Sequence, residues 1–168
     1  RKLPKTKIIK AKTNNFSKPI YKLEEYMNKN QWQRSHGNYF STRFSNLSQI
    51  NKSNIDQLKL AWTYEADMDS NSKKENQANA VYFNEKIFFP DVDNKLVALN
   101  GVNGKKIWEY QISEGIAAKR GLLIHTNKNN NKGKIFFTDN RNFLYCINTD
   151  GDLVNSFGKI YLTTYYND

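Results

Sequence analysis

The chain has 168 residues and a formal net charge of +10 at pH 7, which is enough length to bury one modest hydrophobic core. Its single cysteine, Cys146, excludes an internal disulfide and a metal site built from several thiolates. No stretch is long and apolar enough to predict a membrane-spanning helix. Because the first residue is not Met and residues 161–168 have the composition of a strand, we expect the sequence to be a piece of a longer protein, truncated at both ends.

The first 30 residues form a basic arm that precedes the main domain. They hold nine lysine or arginine side chains against two glutamates, which accounts for +7 of the net charge. A solvated leader is the usual state of such a terminus, and attachment to an anionic membrane surface is the alternative. A short helix is predicted over residues 17–28. Beyond the arm no stripe of cations follows the chain, so nucleic-acid binding is not predicted.

The central part of the chain predicts β-structure with one helical turn. Residues 51–58 predict a single capped turn, in which the Asn51 side chain accepts from the amides that follow it. Short alternating segments predict strands over residues 58–64, 78–83 and 116–125, with turn residues between them.

An internal repeat is the most informative pattern in the sequence. Residues 87–100 read IFFPDVDNKLVALN and residues 135–148 read IFFTDNRNFLYCIN, an ungapped match at an offset of 48 residues with seven identities in fourteen. Each copy predicts a β-hairpin followed by a turn of Asn and Gly. Four-stranded antiparallel sheets at this spacing are typical of β-propeller blades, whose apolar faces are covered by neighbouring blades. We therefore predict an all-β fold, a partial β-propeller of about two four-stranded antiparallel blades over residues 31–168.

Large aromatic side chains in the predicted strands are expected to pack between the blades. They are Trp62, Phe88, Phe89, Trp108, Phe136 and Phe137.

Residues 32–64 carry a dense motif, WQRSHGNYFSTRFSNLSQINKSNIDQLKLAWTY. The order of a Trp, a Gly-Asn turn, an Arg-Phe-Ser run, a Gln-Ile-Asn run and a Leu-x-x-Ala-Trp-x-Tyr strand resembles the entry motif of pyrroloquinoline-quinone (PQQ)-dependent dehydrogenases, which are eight-bladed β-propellers. Asn46 stands where that family prefers proline. Residues 96–108, LVALNGVNGKKIW, are similar to the family's blade signature, which ends in a docking tryptophan. Asn155 falls at the place of that tryptophan in the second copy.

The resemblance implies PQQ as the cofactor, a flat tricarboxylate quinone whose carboxylates need cationic partners. Arg120 matches a quinone-contacting arginine of the family, and a solvated cation at a strand edge is the alternative. A cofactor-contacting carboxylate of the family matches Gln77 when no gap is allowed and Glu75 after a slip of two residues. Both positions therefore stay candidates. Glu114 and Gly115 stand where methanol-oxidising relatives have adjacent cysteines.

The resemblance further implies that the whole protein oxidises a small alcohol or sugar, with the glucose dehydrogenase type favoured. Electrons would pass to a respiratory acceptor, a quinone or a cytochrome. The ligands of the family's Ca²⁺ and the catalytic base come from later blades, so we expect the chain to be inactive by itself. A periplasmic location is implied, with the basic arm offering association with the inner membrane. The alternative class is a noncatalytic propeller of the same repeats that serves as a periplasmic binding or assembly scaffold.

Overall fold

The computed structural model describes residues 31–38, 40–67, 77–118, 121–126 and 132–162. Eight strands lie in these ranges: β1 Val81–Phe83, β2 Lys86–Asp91, β3 Lys95–Asn100, β4 Lys106–Gln111, β5 Leu123–Thr126, β6 Gly133–Thr138, β7 Phe143–Asn148 and β8 Lys159–Tyr161. They form two four-stranded antiparallel sheets, each in simple meander order. The two sheets predicted from the repeat are thus confirmed. The helix predicted over residues 17–28 lies outside the described residues.

The repeat sets the same register in both sheets. Phe88 of β2 pairs with Ala98 of β3, and Phe136 of β6 pairs with Cys146 of β7 at the same offset of 48 residues. The tight turn between β1 and β2 places Asn84 at φ 46° and adjacent Glu85 at φ 60°. Two successive left-handed residues are typical of hairpin turns whose twist matches the strands that they join.

The hydrophobic core lies within and between the two sheets. Its buried members come from six of the strands and from the segment that joins the sheets: Val81, Phe83, Phe88, Leu96, Ala98, Ile112, Ala117, Leu122, Ile124, Ile135, Phe137, Tyr145 and Ile147. All six aromatic side chains that were predicted to pack are buried or half-buried.

Two tryptophans join successive elements through the same kind of contact. The indole Nε1 of Trp108, on β4, donates to the carbonyl oxygen of Thr149 in the second sheet at 3.1 Å. The indole Nε1 of Trp62 donates to the carbonyl oxygen of Gly101 in the first sheet at 3.3 Å. Both acceptors lie in the turn after the third strand of a sheet. Trp62 therefore contacts the first sheet in the same way as Trp108 contacts the second.

Two tyrosines repeat the arrangement two residues further along. Tyr64 packs edge-on against Phe89 with 5.5 Å between ring centroids. Tyr110 packs edge-on against Phe137 with 6.4 Å between centroids. The segment that ends at Tyr64 therefore occupies the place of an outer strand of a preceding sheet.

The remaining predicted elements differ from the structure in instructive ways. Residues 58–64 form no ladder with any described residue, because the sheet to which they would belong is not among the described strands. The strands predicted over residues 78–83 and 116–125 shorten to Val81–Phe83 and Leu123–Thr126. The capped turn predicted over residues 51–58 is a 3₁₀ turn, Ile55–Gln57.

The Asn51 side chain accepts from the amide of Ser53 at 3.0 Å, as predicted. It does not cap the turn, however, because the residue that precedes the turn is Asn54, whose side chain makes no capping bond. Within the described residues, no helix is long and apolar enough to cross a membrane.

The assignment of Asn155 to the docking-tryptophan position is wrong. Ile147 bridges Leu153 and Tyr145 pairs with Lys159, so residues 154–158 all stand opposite Cys146. In the first sheet the equivalent Ala98 pairs directly with Trp108. Asn155 lies instead in a turn that leaves the ladder. Extra residues in this turn, which the ungapped comparison could not register, cause the displacement.

Phe157 in that turn takes over the packing role. Its ring lies edge-on against Phe136 with 5.5 Å between centroids, and Trp108 lies against the equivalent Phe88 at 5.8 Å. The second sheet therefore keeps an aromatic ring over its second strand although the tryptophan is absent.

Candidate functional site

A short segment, residues 31–35, runs between the inner strands β1 and β5 of the two sheets. The main chains of Trp32 and Tyr82 exchange two hydrogen bonds, of 2.9 and 2.8 Å. On the other side, the amide of Ile124 donates to the carbonyl oxygen of Gln33 at 2.8 Å, and Arg34 forms a bridge with Leu123. We call residues 31–35 the bridging segment, because its backbone joins one sheet to the other.

Side chains reinforce the bridging segment on both sheets. Gln31 Nε2 donates to Asn84 Oδ1 at 3.2 Å, next to the end of β1. Gln33 Nε2 donates to Thr126 Oγ1 at 3.4 Å, at the end of β5. Because the segment is antiparallel to both strands, β1 and β5 run parallel and begin at the same end of the structure.

At that end the main chains at Asn79 and Gly121 and the side chain of Ser35 come close together. Gly121, just before β5, has φ +97°, and a Cβ built on it would overlap Ser35 Oγ and lie 3.4 Å from the carbonyl oxygen of Asn79, just before β1. Only a residue without a side chain fits this position. We call this place, where Ser35, Asn79 and Gly121 meet, the inner-strand junction.

The three predicted site residues relate differently to this junction. Gln77 is exposed and lies two residues before Asn79, so it belongs to the same end of the sheets. Arg120 and Glu75 lie outside the described residues, although Arg120 directly precedes Gly121 in the sequence. Their roles stay predictions. Ser35 and Asn79 were not expected at the site. No pattern in the sequence predicts that a serine side chain and a main-chain carbonyl oxygen would both lie close to Gly121.

The loop that follows the bridging segment brings a histidine and an arginine together. Arg43 Nε donates to His36 Nδ1 at 2.8 Å, and the Arg43 amide donates to the His36 carbonyl oxygen at 3.2 Å. Ser41 at φ 54° and Arg43 at φ 53° hold the loop in left-handed conformations, which L side chains adopt at a cost.

The donor set near the junction suits an anionic ligand. Arg34, His36 and Arg43 supply basic groups, and the described residues 31–38, 77–80 and 121–122 contain no Asp or Glu. Among the described residues, Arg43 has no carboxylate partner. A tricarboxylate group such as PQQ fits this composition better than a metal ion does. In the same described ranges, no group of three His, Cys, Asp or Glu side chains could hold a metal.

A second polar cluster, around Asp139, is structural. The carboxylate is only 4% exposed and accepts from the amides of Arg141 at 3.0 Å and Phe143 at 2.8 Å. The hydroxyl of Tyr145 donates to it at 2.9 Å. A Cβ on Gly115 would lie 2.7 Å from its Oδ2. The Glu114-Gly115 pair, which replaces the adjacent cysteines of methanol-oxidising relatives, thus lies beside this turn.

This cluster makes stability sensitive to alkaline pH. Burial raises the pKa of Tyr145 above its ordinary value of 10.0, and the hydrogen bond to Asp139 raises the pKa further. The stabilisation by the neutral phenol is fully present below pH 10 and is lost as the pH rises through the folded-state pKa. We expect the free energy of unfolding, measured by urea denaturation, to fall more steeply above pH 10 in the wild type than in Tyr145→Phe.

Tyr64 keeps its own alkaline transition in that variant, because burial and its bond to Asp91 raise its pKa as well. The Tyr145→Phe curve should therefore flatten without becoming level. Identical slopes for the two proteins would show that the Tyr145 hydroxyl is not held as described.

The model of the PQQ-type glucose/ethanol/alcohol dehydrogenase β-propeller domain matches residues 32–161. The chain belongs to this quinoprotein family. The family resemblance and the partial β-propeller fold predicted from the sequence are thereby confirmed.

Two curated relatives are quinone-dependent dehydrogenases. The chain is 36% identical over 93 residues to the quinoprotein glucose dehydrogenase of Gluconobacter oxydans, covering 49% of this chain and 12% of that protein. It is 32% identical over 102 residues to the dehydrogenase subunit of the alcohol dehydrogenase (quinone) of the same organism, covering 59% of this chain and 13% of that protein. The chain thus spans about an eighth of the length of these curated relatives.

Solved quinoprotein structures share the fold. A europium-containing methanol dehydrogenase superposes with a TM-score of 0.61 at 22% identity, over 79% of this chain and 23% of that chain. The quinohemoprotein alcohol dehydrogenase from Comamonas testosteroni superposes with a TM-score of 0.59 at 23% identity, over 74% of this chain and 18% of that chain.

Proposed function

We propose that the whole protein is a PQQ-dependent dehydrogenase that oxidises an alcohol or an aldose, and that this chain supplies part of the wall of its cofactor site. The observation that carries the proposal is the inner-strand junction. It gathers the starts of two neighbouring inner strands beside basic side chains in a chain of the quinoprotein family. The glucose dehydrogenase of Gluconobacter oxydans among the relatives supports an aldose as the favoured substrate.

The residues of this chain would bind and orient the cofactor. When bound, PQQ supplies the two-electron acceptor for oxidation of the substrate. Arg120 would pair with one of its carboxylates through parallel N–H bonds. Gln77 would contribute a neutral amide from the start of the first inner strand, and Glu75 is the charged alternative for the same contact.

The wider setting belongs to the proposal as well. Ca²⁺ would be held by ligands outside the described residues, and electrons would leave to a respiratory quinone or cytochrome. We place the protein in the periplasm, with the basic arm of residues 1–30 drawn to the anionic surface of the inner membrane. A noncatalytic scaffold is not favoured, since the family match is to dehydrogenases and includes the entry motif.

Replacing Arg120 by alanine should weaken PQQ binding about 10- to 100-fold, because hydrogen bonds to charged groups contribute about 1.5 to 3 kcal/mol each. The measurement is a titration of the metal-loaded, cofactor-free full-length protein with PQQ, followed by quenching of tryptophan fluorescence. Glu75→Ala and Gln77→Ala are titrated in parallel, and the one that weakens binding identifies the contact.

Arg141→Ala is the matched control. Arg141 is an exposed arginine that pairs with Glu114 at 2.8 Å in the second sheet, so its loss should leave the affinity for PQQ unchanged. An Arg120→Ala protein that binds PQQ as tightly as the wild type would rule out Arg120 as a cofactor ligand.

A further inference from the structure

We propose that the bridging segment is a positioning element of the cofactor site, with Ser35 as the residue that fixes the start of β5. The inference rests on the proposed function, because it concerns the same site. Within the described residues, β1 and β5 form no ladder with each other. Their inner edges are instead held apart at a set spacing by residues 31–35, which bond to both strands through the main chain.

The main-chain bonds define the spacing along most of the segment. Trp32 is bonded to Tyr82 of β1, and the next residue, Gln33, accepts from Ile124 of β5. Adjacent residues of one extended chain thus face opposite sheets. A change in the distance between β1 and β5 would have to break one of these two sets of bonds.

Ser35 fixes the position of the chain at the inner-strand junction in addition. Its Oγ lies against Gly121 so closely that a Cβ at position 121 would overlap it. Gly121 directly follows Arg120, the predicted ligand, and therefore leads the chain from that position into β5. Displacing Gly121 relative to Ser35 would move the point at which this segment enters the sheet.

The role of Ser35 is indirect. Its hydroxyl lies against the main chain at Gly121, just before β5, so it acts through Gly121 and not by touching the cofactor. Ligand-binding groups need a support that holds them to about 0.5 Å, and a misplacement of about 1 Å can reduce function about 100-fold. The contact of the Ser35 side chain with the main chain at Gly121 provides that kind of support.

The test is a double-mutant cycle in the full-length protein, measured by titration with PQQ and by thermal denaturation without PQQ. Gly121→Ala should raise the Kd for PQQ about tenfold or more, because the new Cβ pushes against Ser35 Oγ. Ser35→Ala alone should raise the Kd only about threefold. The double variant should recover most of the lost affinity, because the nearest remaining atoms, the Asn79 carbonyl oxygen and Ser35 Cβ, lie 3.4 and 3.6 Å from the new Cβ. The strain of an L side chain at φ +97° remains in this variant.

Gly151→Ala is the matched control for backbone strain. Gly151 has φ +100°, close to the φ of +97° at Gly121, and a Cβ there would lie 2.9 Å from the ring of Trp108, away from the junction. This variant should lower the melting temperature as Gly121→Ala does but leave the Kd for PQQ within about twofold of the wild type.

Each outcome separates the inference from the proposed function. A wild-type protein that fails to bind PQQ would refute the proposed function whatever the variants do. If the wild type binds but Gly121→Ala binds equally well, or if Ser35→Ala does not rescue it, the positioning role is wrong and the proposed function stands. Should Gly121→Ala not fold, Ser35→Ala decides alone, since it adds no bulk: an unchanged Kd overturns the positioning role.

Discussion

Replacing Trp108 by alanine should lower the free energy of unfolding by about 3 to 5 kcal/mol, the range measured when large aromatic residues are truncated in protein cores. The indole packs against Phe88 of its own sheet at 5.8 Å between centroids. It also covers Gly151 in the turn of the second sheet. Alanine would remove both contacts and the donor to the Thr149 carbonyl oxygen. Urea denaturation followed by circular dichroism measures the loss.

Two controls divide that loss into packing and hydrogen bonding. Trp108→Phe keeps a ring between the sheets but deletes the donor, so it should cost about 1 kcal/mol beyond any repacking. Ile107→Ala changes the preceding residue, which is 45% exposed, and should cost less than about 1 kcal/mol. A Trp108→Ala protein that is as stable as Ile107→Ala would contradict the docking role of the indole.

Removing the carboxylate of Asp139 should cost about 3 kcal/mol. This buried group accepts three hydrogen bonds, from two amides and from the Tyr145 hydroxyl, and bonds to a charged acceptor contribute about 1.5 to 3 kcal/mol each without being additive. Asp139→Ala would leave these buried donors without their acceptor. The free energy of unfolding in urea at neutral pH is the quantity to compare.

The repeat supplies a control for this substitution. Asp91 stands at the equivalent place in the first sheet and is less buried. Its side chain accepts from the Tyr64 hydroxyl at 2.7 Å and from the Val92 amide at 2.8 Å. Asp91→Ala should therefore cost less, about 1 to 2 kcal/mol. Equal losses at the two positions would mean that burial of Asp139 does not strengthen its hydrogen bonds.

The sheets could be predicted from the sequence because their signals are local. Alternating apolar residues and turn-forming Asn and Gly lie within each copy of the repeat. The equivalent places of Ile87 and Ile135 in their strands could therefore be predicted without knowing any distant contact. The pattern of residues 58–64 is also that of a strand, but a ladder needs a partner and none is among the described residues. The sequence pattern therefore indicates that residues 58–64 favour an extended strand, but it does not identify the strand with which they pair.

The candidate site was less predictable because it depends on contacts between distant backbones. The bridging segment pairs with residues about 50 and 90 positions further along the chain through N–H and C=O groups, which are the same in every residue type. A motif match could nominate Arg120 and Gln77 by position. It could not show that Ser35 and Asn79 meet at Gly121, since a serine and an asparagine carry no signal for that contact.

The bridging segment joins the two sheets along their inner strands, and Trp108 joins them from β4. Between these two attachments, Lys86 of β2 donates to the Thr149 carbonyl oxygen and pairs with Asp150 of the second sheet. A hinge between the sheets would have to break all of these contacts at the same time. Parting the sheets is therefore a costly route for admitting a ligand to the inner-strand junction. Entry should instead pass the loops at the starts of the inner strands, so that changes in the length of these loops would alter the rate of cofactor loading while leaving the sheets in place.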